Sequence, residues 1–79
     1  MKYAVVQFKV TRPAISLASG LSREDAISLA IAQYDAKKQE GSLAPATALM
    51  VLEESDATLL VNGQASLRDV RVEIHCGSI

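Results

Sequence analysis

The sequence predicts an α+β domain in which one α-helix packs on a mainly antiparallel sheet of about four strands, in the chain order β-α-β-β-β. Three observations predict it. Side chains alternate between two faces from Tyr3 to Thr11, a helix-favouring stretch runs from Ser22 to Gly41, and Val70, Val72, Ile74 and Cys76 alternate with Arg71, Glu73 and His75 near the end.

In the first strand Ala4, Val6, Phe8 and Val10 point one way, and Tyr3, Val5, Gln7, Lys9 and Thr11 the other. Arg12-Pro13 is expected to end it, because proline lacks the ladder donor and restricts the residue before it. Ala14 to Ser19, with Ile15 and Leu17 at strand spacing, suits either a short second strand or a packed loop. Ser22 is the expected helix cap: its hydroxyl can accept from an unpaired first-turn amide, and Glu24 and Asp25 suit the positive end of the helix dipole. Lys37 and Lys38 suit the other end, and Gly41 can take the left-handed conformation that closes a helix.

Ala46 to Glu54 contains the apolar run Ala48-Leu49-Met50-Val51-Leu52. A short helix from Pro45 is also compatible with this composition. The run is short, however, and is followed by a turn-like Ser55-Asp56 and the β-rich Thr58-Leu59-Leu60-Val61, so a strand buried on both faces is expected. Asn62-Gly63 offers the positive backbone angles of a tight hairpin turn. The last strand is expected to be one-sided, with Val70, Val72, Ile74 and Cys76 facing the core.

Of the 79 residues 49% are hydrophobic, 22% are charged and three (Tyr3, Phe8, Tyr34) are aromatic, for a net charge of −1. This composition excludes a disordered or low-complexity chain and suits one domain over residues 1–79. So short a chain buries only about 60 to 65% of its unfolded surface. Cys76, the only cysteine, has no intramolecular partner and suits no Cys/His zinc site, so self-association or a bound partner is the expected support. A lone cysteine also fits a reducing compartment, and the N-terminal apolar stretch is cut by Gln7 and Lys9, short of a signal-peptide core of about 7 to 15 residues. No apolar run of about 20 residues exists to span a membrane. The expected location is the cytoplasm.

Nothing in the sequence assembles a reaction centre. His75 and Cys76 are neighbours on a strand and point to opposite faces, so the imidazole cannot activate the thiol. The four glycines are scattered and form no phosphate loop. A sequence isoelectric point near 5.7 counts against nucleic acid, for which Lys2, Lys9 and Arg12 around Tyr3 make the only small patch. No catalytic, cofactor or metal residues are assigned, and the expectation is a non-enzymatic protein.

What the sequence does carry is a surplus of apolar positions. At about 100° per residue, Ile27, Ala30, Ile31 and Tyr34 form one helix stripe, the expected core face, while Leu29, Ala32 and Ala36 fall nearly opposite. Read plainly, these are good helix formers with one exposed leucine; read as a contact surface, they are a second interface around Leu29. Tyr3 and Val5 repeat the pattern on the sheet, whose second face, with only one helix to cover the first, is left for solvent, the Arg12 to Leu21 segment or another chain. Glu53, Glu54 and Asp56 are either a solvated turn at the hairpin end or an electrostatic docking patch. Arg68, Arg71, Glu73 and His75 read as an ordinary wet strand face. The expected function is therefore stoichiometric occupation of a partner's surface, by a homodimer or in a hetero-complex. Small cofactor-free domains of this kind are common among phage and mobile-element inhibitors of host machinery, including anti-defence proteins, and a self-associating structural subunit is the alternative.

Overall fold

Five consecutive apolar residues, Ala48 to Leu52, have no polar side to offer water, and the fold buries each of them to 1% exposure or less in an inner strand. The structure, a computed structural model, describes residues 1–9, 12–41 and 47–77, with the side chains of 12 and 13 left aside. Its elements are β1 (Tyr3–Lys9), β2 (Arg12–Leu21), α1 (Arg23–Glu40), β3 (Thr47–Glu53), α2 (Glu54–Val61), a 3-10 turn (Leu67–Asp69) and β4 (Val72–Gly77). The four strands form one antiparallel sheet in the order β2-β1-β3-β4. The expected α+β class and four-stranded sheet are present, but the elements fall differently along the chain.

The first difference is at Arg12. It opens β2 and pairs with Lys9, so the Ala14 to Ser19 segment is strand and the second strand precedes the helix. Proline is accepted at the second position because β2 is an edge strand near its start. The predicted continuation of β1 through Val10 and Thr11, and the possible helix start at Pro45, lie outside the described residues.

The second difference is larger. Thr58 to Val61 is helix, in place of the expected strand and hairpin. Ala57, Leu60 and Val61 recur at helical spacing and pack on the sheet, Glu54 and Asp56 sit in the first turn, and Thr58 Oγ1 donates to the Glu54 carbonyl at 3.0 Å. Asn62-Gly63 ends this helix instead of turning a hairpin. Gly63 is left-handed (φ 73°), its amide donates to the Leu60 carbonyl, and the Gln64 amide donates to the Leu59 carbonyl at 2.8 Å.

α1 follows its local signals. The Ser22 hydroxyl accepts from the Asp25 amide at 3.1 Å, and Gly41 closes the helix at φ 71° with its amide directed to the Lys37 and Lys38 carbonyls.

Alternation then divides the core between two faces of the sheet. Val5 and Val51 lie beneath Ala26 and Ala30 of α1, with Tyr3, Ala18, Leu21, Ile27, Leu29 and Ile74 around them. Ala4, Val6, Ala48, Met50 and Leu52 lie on the opposite face against Ala57 and Leu60 of α2, with Leu67, Val70 and Val72 completing the cover. The expectation that one sheet face is left to solvent or another chain is thus corrected: α2 and the 3-10 turn cover it.

β4 is also not the one-sided strand expected. Val51 pairs with Ile74 and its neighbour Leu52 with Val72, so Glu73 is an extra residue in the register. This bulge sends Val72 to the α2 face and Ile74 to the α1 face, although two residues apart they would share a face in a regular strand.

Candidate functional site

The residues expected to form a partner interface come apart in three dimensions. Val5 is fully buried under α1, and Tyr3 and Leu29 are half-buried in the same cluster. Only Ala32 and Ala36 are exposed. The physical reason is a rotation of α1 relative to its expected stripe. The small Ala26 and Ala30 sit at the line of closest approach, so Ile27 on one flank and Leu29 on the other both reach the sheet, while Ile31, expected in the core, is 45% exposed. Two apolar sides of the helix are two flanks of one buried face. Val5 is corrected as an interface residue on that ground, since α1 covers it, whereas Ala32 and Ala36 stay exposed.

The acidic trio also separates. It stands at the junction of β3 and α2, not at a hairpin end. Glu53 and Asp56 share a cleft of about 320 Å³ with Met1, Tyr3, Arg71 and Glu73. Glu73 there accepts from Arg23 Nε at 2.9 Å and lies 3.2 Å from Arg71 Nε, tying β4 to the start of α1. Of the expected wet row, Arg68, Arg71 and His75 are exposed, and Glu73 is half-buried in its ion pairs with Arg23 and Arg71.

Glu54 turns the other way, toward β2. Its Oε2 accepts from the Gly20 amide at 2.7 Å, which fastens the end of β2 to the first residue of α2. Between these elements lies a cleft of about 260 Å³ lined by Ala4, Ser16, Ser19, Glu54, Ala57, Thr58, Val61 and Asn62. Ala4 and Ala57 are buried and leave the space, and Ser16 and Ser19 give β2 a low rim.

β2 itself is an outer strand with a row of backbone groups that no strand of the sheet pairs. From Pro13 to Ser22 it carries no charged residue. Ile15, opposite Gln7, is 52% exposed and Leu17 is 38% exposed. Ala18 pairs with Val5 and Ser16 with the adjacent Val6, so Leu17 is an unopposed extra residue that sharpens the local twist and bend of the strand.

Sequence reasoning left this segment undecided between strand and loop and so missed it as a site. Its signal was the uncharged run itself, which edge strands of stable monomers normally interrupt with charge. Ser16, Ser19, Thr58 and Asn62 carried no signal, because only the packing of α2 against β2 brings them together.

The remaining chemistry is sparse. Pairing of His75 with Met50 and Cys76 with Leu49 places the imidazole and thiol on opposite faces. Burial pushes the Cys76 thiol above its ordinary range, and the Asp35 carboxylate of α1 adds to the shift. Among the described residues no group of three or more His, Cys, Asp or Glu could hold a metal ion, and no helix is long and apolar enough to cross a membrane. Of the Lys2, Lys9 and Arg12 patch, the Arg12 side chain lies outside the described residues. Comparison with protein-family models, curated proteins and solved structures finds no match to this chain.

Proposed function

We propose that this protein is a non-enzymatic binding module that occupies a partner protein's surface in fixed stoichiometry, and that it does so by adding an extended segment of the partner to β2. One observation carries the reading: β2 is a ten-residue edge strand, uncharged from Ala14 to Leu21, with Ile15 and Leu17 exposed beside backbone groups that no strand of the sheet pairs. Backbone hydrogen bonds supply the attraction of strand addition, and flanking side chains choose the partner. A cytoplasmic inhibitor of host machinery carried by a phage or mobile element suits a domain of this size that acts by occupation alone.

A second copy of the chain is the alternative occupant, because the uncharged stretch from Ala14 to Leu21 presents nothing to repel its own twin. The decisive experiment compares the wild type with the double variant Ile15→Lys, Leu17→Lys. Size-exclusion chromatography with light scattering reports self-association, and affinity capture from the native cell extract reports a stoichiometric partner. Loss of one of these in the variant, with an unchanged circular dichroism spectrum, supports the edge. Complexes that survive both substitutions refute it.

A further inference from the structure

We infer that the cleft between β2 and α2 is a specificity pocket for one lysine side chain of the segment that adds to β2, an inference that rests on the strand-addition reading. The position is right for such a role. The cleft lies on the α2 face beside the edge, and its β2 wall is two serines, so a side chain from a neighbouring strand on that face can pass over the rim. Its volume of about 260 Å³ falls below the roughly 300 to 1,000 Å³ of small-molecule sites and suits a single side chain.

The lining then chooses the chemistry. Ala4, Ala57 and Val61 offer an apolar wall for a methylene stem, and Glu54, Ser16, Ser19, Thr58 and Asn62 offer oxygen acceptors for its head. Among the described residues no Lys or Arg lines the cleft and none forms an ion pair with Glu54. Occupancy by a cation supplies the counter-charge, and occupancy by an anion would set like charges together. Lysine fits better than arginine because Oε2 of Glu54 already accepts from the Gly20 amide. A guanidinium binds best when both carboxylate oxygens are free for its fork, whereas an ammonium is a compact charge with three rotatable donors that can engage Oε1 and the nearby hydroxyls.

The test uses the full chain labelled with ¹⁵N and four blocked extended peptides of identical sequence except for one central residue: lysine, arginine, norleucine or glutamate. The expected result is that binding moves the β2 amides from Ser16 to Gly20, that the lysine peptide also moves Glu54 and Thr58, and that it binds at least tenfold more tightly than each of the others. Glu54→Gln, which keeps an acceptor for the Gly20 amide, should bring the lysine and norleucine peptides to equal affinity. Peptides that shift β2 with equal affinities, or with norleucine or arginine preferred, overturn the lysine pocket and leave strand addition standing. Peptides that leave the β2 amides unmoved overturn both.

Discussion

The two edge strands of this sheet solve the same problem in opposite ways. β4 spans Val72–Gly77, is bulged at Glu73 and is fastened to α1 through the Arg23–Glu73 ion pair, with Arg71 and His75 exposed beside it. β2 is longer, bears no charge from Ala14 to Leu21, packs Ala14 in the cluster of Ala57 and Leu60, and is hydrogen-bonded to α2 at its end through Gly20 and Glu54. Charge and a bulge are ordinary protections against pairing with another chain. β2 has a bulge at Leu17 and further register irregularities on either side of it, but its charge is confined to Arg12 at its start, and its neighbour α2 opens a cleft alongside it. One edge carries charged side chains, and the other is the edge proposed above to receive a strand.

That contrast can be broken by substitution. The largest effect is expected at the end of β4. Gly77 has φ 116°, and a Cβ there would stand 2.5 Å from the Thr47 carbonyl oxygen, so Gly77→Ala should destabilise the protein by about 2 to 4 kcal/mol in urea unfolding. If the cost is below about 0.5 kcal/mol, the close approach of β4 to β3 is not a constraint. Next comes the layer that both edges share. Ala30→Leu should lift α1 from Val5 and Val51 and cost about 1 to 3 kcal/mol by thermal denaturation.

Smaller effects sharpen the comparison. Glu73→Gln removes both ion pairs of the β4 edge, but Arg23 is 51% and Arg71 87% exposed, so the loss should be at most about 1 kcal/mol and should shrink in high salt. Asp69 supports the 3-10 turn before β4. The Ser66 amide and then the Ser66 hydroxyl hold its carboxyl below the ordinary 3.8. A depressed folded-state value means that the turn's support is complete above 3.8 and is lost as pH falls through the lower folded value. The protection of the Ser66 amide, its exchange rate relative to the intrinsic rate at the same pH, should therefore fall in acid, and Asp69→Ala should remove that pH dependence. The smallest stability change is expected on the open edge, where Ile15→Lys should stay within about 0.5 kcal/mol of wild type in the same urea experiment. A loss comparable to Gly77→Ala would mean that Ile15 is core and that β2 is no freer than β4.

Most of the signals that proved legible act over a few residues. The cap at Ser22, the left-handed Gly41, the alternation of Tyr3 to Lys9 and the two-sided burial of Ala48 to Leu52 could all be read directly, because each depends on backbone geometry or on side-chain period within one element. The candidate site was hardly legible. Glu54 looked like one member of an acidic run, and nothing local distinguishes it from Glu53, yet successive residues at the β3–α2 junction direct the two into different clefts.

Tertiary packing decided the rest. Thr58 to Val61 has strand-favouring residues, but the face formed by Ala4, Val6, Met50 and Leu52 must be removed from water, and a helix presenting Ala57 and Leu60 covers it where another strand at the edge would not. The same demand set the bulge at Glu73, which lets Val72 and Ile74 serve opposite faces, and the rotation of α1 onto its alanines. Local chemistry determined where this chain begins and ends its first helix and that the Ala48 to Leu52 run lies inside the sheet. Burial of a second sheet face, a condition on the whole molecule, determined what covers the sheet.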